Sequence, residues 1–159
     1  MRQLTRTIDK GLAVFLEILM AAMVLTVTWQ VISRFILKAP SSYTEELARF
    51  LLIWIGILGS GYALRTKAHL GIDILPKYLQ GYKRKMLEVF VYFLVILFAF
   101  FVLIIGGLRL VDLTFSLKQT SAAMGIPMGY VYLVLPLSGL LMVYYALAFI
   151  IEIIKTGDK

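Results

Sequence analysis

The segment RFILKAPSSYTEELARF, Arg34 to Phe50, separates two nearly unbroken runs of Leu, Ile, Val and aromatic residues, yet it carries three basic and two acidic side chains. A helix needs about 20 consecutive apolar residues to cross a bilayer, so flanking runs of that length make this segment a membrane border. The whole composition agrees. Of 159 residues 61% are hydrophobic and 16% charged, more apolar than a soluble core of this size requires. The chain therefore reads as an all-α membrane protein with four transmembrane helices, at about 11–33, 44–65, 86–108 and 127–152, in a single membrane domain covering 1–159. The first run resembles a signal peptide because Arg2, Arg6 and Lys10 precede it. It is too long for that, contains Glu17 and lacks a small-x-small cleavage site, so it reads as a retained anchor.

The border segment has internal order. Pro40 disfavours helix at Ala39, and Ser42-Tyr43-Thr44-Glu45 fits a capping box that would start the second span near Tyr43. Glu45 and Glu46 then fall in a first turn, where the helix dipole favours negative charge, and Glu45 with Arg49 forms an i, i+4 pair. Local capping and pairing explains much of the charge. Arg49, however, is enclosed by Leu47, Ala48, Phe50 and Leu51, and a charge among apolar residues in a membrane generally has a partner.

Basic residues set the orientation. With four spans, the termini and the connection between spans two and three share one side, holding 11 of the 16 Lys and Arg, and the remaining 5 are Arg34, Lys38, Arg49, Arg109 and Lys118. The excess of positive charge inside predicts that both termini are cytoplasmic and that Arg34–Phe50 faces outward. The same logic accounts for the net charge of +7 without any nucleic-acid partner. No Cys and one His argue against disulfides and most zinc or haem schemes, and no catalytic residue, cofactor or metal site is expected.

Two further features concern neighbours. In span two Gly56 and Ser60 are four apart, as are Gly59 and Ala63, a spacing that lets another helix approach closely, from this chain or another protein. Between spans two and three, 66–84 combines Leu70, Ile72, Ile74, Leu75, Tyr78 and Leu79 with Asp73 and Pro76. It reads as an interfacial segment with Lys83, Arg84 and Lys85 near lipid headgroups, and His69 as an interfacial polar group.

These residues stand in a recognisable order. Arg34, Pro40, Glu45-Glu46-Leu47-Ala48-Arg49, Trp54, Gly56, Gly59, Ala63, Arg65, His69 and Asp73 together resemble the signature of the DctQ-type small membrane subunit of tripartite ATP-independent periplasmic (TRAP) transporters. A second block, QTSAAMGIPMGYVYLVLPLSG, matches with Gln119, Ser121, Ile126, Pro127, Tyr132 and Pro136. Tyr43 stands where the family more often has Trp. The resemblance implies four transmembrane helices with interfacial connecting helices in the bacterial inner membrane, next to lipid. It also implies a large DctM-type membrane subunit and a DctP-type periplasmic substrate-binding protein as partners, and sodium-coupled uptake of carboxylates such as dicarboxylates or sialic acid. Arg34, Glu45, Glu46, Arg49, Trp54, Gly56, Gly59, Ser60, Arg65, His69, Asp73, Pro127, Tyr132 and Pro136 are the candidate partner-facing or structural residues.

One independent observation supports an accessory role. Transport proteins generally show repeats and Gly- or Pro-broken helices meeting at a midplane site, and nothing of that kind is evident here. Two other classes remain: a small four-helix proton-coupled multidrug exporter using Glu17, and a membrane anchor of a respiratory enzyme, which the single His disfavours.

Overall fold

The computed structural model describes residues 2–39, 41–66 and 82–156, and the description is entirely helical apart from turns and one isolated bridge. Helix α1 spans Arg2–Phe35, α2 Ser42–Arg65 and α3 Tyr82–Phe98. The third run continues as a π-helical segment, Ala99–Gly106, and then as α4, Gly107–Ser116. A short α5, Met128–Tyr132, leads into α6, Val134–Thr156. Four runs are long and apolar enough to cross a membrane: Thr5–Phe35, Ser42–Arg65, Lys83–Ser116 and Met128–Lys155. The helices extend beyond the expected 11–33 and 86–108, because polar first and last turns remain helical while their side chains reach water or a partner helix. The interfacial segment expected at 66–84 lies outside the described residues except at its ends, as do Pro40, His69 and Asp73.

The last run is the centre of the bundle. Its most apolar window is 44% buried, against 17% in each of the other three, and it supplies Val134, Ser138, Tyr145 and Ala146, all fully enclosed. α6 packs on α2, α3 and the π segment, whereas α1 packs on α2. Much of α1 is therefore left facing outward, with Val14, Ile18, Val24, Leu25 and Trp29 more than half exposed. Such a surface is at ease in lipid and would be a liability in water.

Small residues set the closest helix approaches. A Cβ on Gly139 would lie 2.8 Å from Ile104 Cγ1, and one on Gly107 would lie 2.8 Å from Leu135 Cβ and 3.0 Å from Pro136 Cδ. The widened π turns thus press directly against the start of α6. Pro136 is tolerated because it sits in the first turn of α6, where its missing N–H has no helical acceptor to lose. Deeper in the bundle Ser138 Oγ donates to the Ile57 carbonyl at 2.7 Å, tying α6 to α2 beside Gly61, whose added Cβ would meet Ser138 Oγ at 3.5 Å. With no water in the hydrocarbon layer, a hydroxyl needs such an acceptor.

The start of α2 differs from the capping box expected of Ser42 and Glu45. Ser41 occupies the cap position and no side chain caps the helix. Thr44 Oγ1 turns back to the Ser41 carbonyl at 3.0 Å, and the Glu45 carboxylate pairs with Arg49 instead. A strong cation one turn along outcompetes the neutral backbone amides for that carboxylate.

Candidate functional site

At the α1–α2 linker end of the bundle, the loop between α4 and α5 folds into a compact hairpin. Met128 N donates to the Gln119 carbonyl at 2.9 Å, Ser121 N to the Ile126 carbonyl at 2.8 Å, and Gly125 N to the Ser121 carbonyl at 3.0 Å. Gly125 turns the chain at φ +65, in the left-handed region where glycine carries no Cβ penalty. Lys118 makes a similar left-handed exit from α4 at φ 49, with Gln119 N returning to the Thr114 carbonyl at 3.0 Å. The result is a ring of successive backbone N–H groups, on Ala122, Ala123 and Met124, that no backbone carbonyl of the hairpin satisfies.

Glu46 fills that ring. Its Oε2 accepts from Ser121 Oγ, Ala123 N and Met124 N, each at 2.9 Å, and its Oε1 accepts from Ala122 N at 3.0 Å. Ser121 is only 5% exposed, and its Oγ also accepts from Met124 N at 3.2 Å. Consecutive amides converging on one carboxylate form an anion nest, and each charge-assisted bond is stronger than a neutral one. A side chain in the second turn of α2 thereby pins a hairpin more than seventy residues away in sequence.

The border charges Arg34, Glu45, Glu46 and Arg49 accordingly separate. Arg49 pairs with Glu45 in an exposed i, i+4 ion pair, their side chains 70% and 53% exposed. Arg34 lies 5.7 Å from the Phe35 ring centroid and lines a cavity with Gln30, Ser41 and Glu45. Glu46 belongs to none of the ion pairs among the described residues and bonds to the hairpin instead.

The opposite end holds a second polar cluster. Arg65, in the last turn of α2, donates from Nε to Asp9 Oδ2 at 2.9 Å, and Tyr145 of α6 donates to Asp9 Oδ1 at 2.9 Å. The Arg65 guanidinium also sits 5.7 Å from the Phe149 ring centroid, and the Thr5 and Tyr144 hydroxyls are 2.9 Å apart. Three helices, α1, α2 and α6, meet at one carboxylate. Arg65 was legible in the sequence, but its partners Asp9 and Tyr145 were not, since neither stands in a motif.

The other candidates take varied places. Trp54 packs edge-on to Phe15 at 6.2 Å and joins α2 to α1. Pro127 caps α5 and Pro136 is buried against Gly107. Tyr132 is half-buried at the end of α5. Ser60 Oγ returns to the Ile57 carbonyl at 2.7 Å. Gly56 and Gly59 face open space, with nothing within 4 Å of an added Cβ, so the intrachain crossing uses Gly61 instead. Glu17 is exposed on α1 and belongs to none of the ion pairs among the described residues.

Comparison with known proteins fixes the kinship. Residues 23–156 match the family described as Tripartite ATP-independent periplasmic transporters, DctQ component. The chain belongs to the DctQ family. It is 26% identical over 141 residues to a Haemophilus influenzae protein named as a TRAP transporter small permease protein, covering 89% of this chain and 86% of that one. It is 28% identical over 116 residues to the C4-dicarboxylate TRAP transporter small permease protein DctQ of Rhodobacter capsulatus, covering 73% of this chain and 51% of the relative. It is also 30% identical over 115 residues to the sialic acid TRAP transporter permease protein SiaT of Haemophilus influenzae, covering 72% of this chain but 18% of SiaT. A DctQ-family chain is a multi-pass inner-membrane component of a transporter and not an enzyme. Among the described residues the Glu46 nest is the most heavily bonded side-chain contact.

Proposed function

We propose that this chain is the small accessory membrane subunit of a sodium-coupled, binding-protein-dependent secondary transporter for organic acids, carboxylates such as dicarboxylates or sialic acid, and that it scaffolds a large transport subunit. The observation that carries the reading is the match to SiaT, where the region similar to this chain makes up 18% of one longer permease polypeptide. A unit that occurs fused within a larger permease is one whose neighbour is that permease. The reading takes both termini as cytoplasmic, because the termini and the connection between spans two and three together hold 11 of the 16 basic residues. The Glu46 end then faces the periplasm, toward a DctP-type binding protein.

The docking face consistent with this reading runs along Gly56 and Gly59. Both lie in a spanning helix and leave room for a helix that the described residues do not supply. Because an added Cβ there has no atom of the described residues within 4 Å, Gly56→Leu and Gly59→Leu should leave the chain's own thermal unfolding unchanged while sharply reducing the large subunit recovered by co-purification. Unchanged recovery would remove this face from the interface. The functional reading itself is tested in proteoliposomes: this chain alone should show no sodium-dependent uptake of labelled C4-dicarboxylate or sialic acid, and saturable uptake by it alone would overturn the accessory role.

A further inference from the structure

A polar cavity of about 280 Å³ opens between the last turn of α1 and the start of α2, lined by Gln30, Arg34, Ser41 and Glu45. It is small for a drug-sized ligand, for which pockets run about 300–1,000 Å³, but suited to a charged group of a few heavy atoms. Its two charged residues are not paired with each other. Arg34 makes no ion pair among the described residues, and Glu45 is paired through one oxygen, Oε1, with Arg49, which does not line the cavity. Arg34 is thus a guanidinium without a counter-ion among the described residues at a membrane border, where an anion is its natural complement.

The surroundings identify the anion's source. Gln30 and Arg34 share a helical face with Val27 and Val31, three or four residues inward on α1, and Glu45 shares one with Leu52 on α2. Val27, Val31 and Leu52 are all exposed, at 38%, 51% and 57%. The polar cavity at the border thus continues along α1 into exposed apolar residues toward the bilayer centre, with Leu52 on α2 one turn beyond the exposed Arg49, which is the distribution of polarity along a phospholipid. We propose that this cavity binds the phosphate of a phospholipid headgroup: Arg34 provides the forked cationic donor, Gln30 and Ser41 the neutral donors, and the acyl chains lie along Val27, Val31 and Leu52. The free oxygen of Glu45 favours a headgroup that carries an ammonium, so phosphatidylethanolamine is preferred over phosphatidylglycerol. The inference requires only that the chain spans a membrane.

The test is native mass spectrometry of the full chain released from nanodiscs of equal phosphatidylethanolamine and phosphatidylglycerol. Wild type should carry one retained phospholipid, enriched in phosphatidylethanolamine. Arg34→Ala should lower the retained fraction about tenfold, as expected for one lost charge-assisted contact, with thermal unfolding unchanged. Arg34→Lys, which keeps the charge but loses the fork, should fall between. Glu45→Gln should shift the retained lipid toward phosphatidylglycerol, and Arg109→Ala, at an exposed arginine on α4, should change nothing. Equal retention by Arg34→Ala and wild type, or equal loss in Arg109→Ala, would make the lipid merely annular and overturn the site. Displacement of the lipid by millimolar inorganic phosphate would assign the cavity to the free ion instead. If Arg34→Ala lowers recovery of a large membrane partner while leaving lipid retention intact, the cavity's occupant is a protein carboxylate and the lipid assignment fails.

Discussion

The two ends of the bundle each bury part of a carboxylate, yet they are built on opposite principles. At the linker end Glu46 is satisfied by three backbone amides and one hydroxyl of a hairpin, with no cation involved. At the other end Asp9 is satisfied by a cation and a phenol from two other helices. Charge complementarity of the second kind could form with many rotamers of a long arginine. A nest works only if the hairpin backbone holds its three N–H groups together, so Glu46 and the hairpin specify one another. The first end therefore fixes a loop, and the second clamps helices.

The largest effect is expected at the nest. Glu46→Ala takes the acceptor from the buried Ser121 hydroxyl and the part-buried Ala123 amide, while the exposed Ala122 amide can turn to water and Met124 N keeps Ser121 Oγ, and a buried polar group left without a partner is costly. The hairpin 119–128 should lose amide-exchange protection in the variant while α6 keeps its own. Glu46→Gln should fall between, since its carbonyl can serve the three donors that meet at Oε2 while its NH₂ opposes the Ala122 amide. If Gln matches wild type, the charge at Glu46 contributes nothing to the contact.

A smaller loss is expected at the opposite end. Asp9 and Arg65 are 21% and 35% exposed at their side chains, so water replaces part of what is lost. Asp9→Ala should lower stability by about 1–2 kcal/mol, mostly through the stranded Tyr145 hydroxyl. Exchange protection should fall where α1, α2 and α6 meet and remain intact in the hairpin. Loss of protection at both ends from this one change would show that the two clusters are a single cooperative unit.

The smallest effect belongs to Glu45 and Arg49. An exposed i, i+4 pair contributes about 0.3–0.5 kcal/mol and is screened by salt. Arg49→Ala should therefore leave unfolding nearly unchanged, with the remaining difference shrinking as salt is added. A loss comparable with that of Glu46→Ala would mean that Arg49 reaches a partner other than Glu45.

The same contrast explains what the sequence disclosed. Four spans were legible from apolar length alone, and Glu45 with Arg49 from helical spacing, because both are local properties. Glu46 could be marked as a border charge, but nothing local distinguishes a carboxylate that caps its own helix from one that caps a hairpin 75 residues on. The one hint was the density of small and turn-forming residues in Gln119–Gly125. Ser41 took the cap position expected of Ser42, an ambiguity of one residue that adjacent serines cannot resolve. Asp9 and Tyr145 escaped notice because each looks ordinary until α1 and α6 are brought together. The π segment was also hidden: its eight residues are apolar in any helical register, and the close approach of Gly139 to Leu103 and Ile104 appears only once α6 is packed against it.

The most direct test of the account is a pair of double-mutant cycles measured by thermal unfolding of the full chain in one detergent. Glu46→Ala and Ser121→Ala should be coupled, the double variant losing measurably less than the sum of the singles, because they share one nest. Glu46→Ala and Arg49→Ala should add within the error of the measurement, because they touch different partners. Strong coupling between Glu46 and Arg49, with additivity between Glu46 and Ser121, would contradict it and return Glu46 to a cluster of border charges.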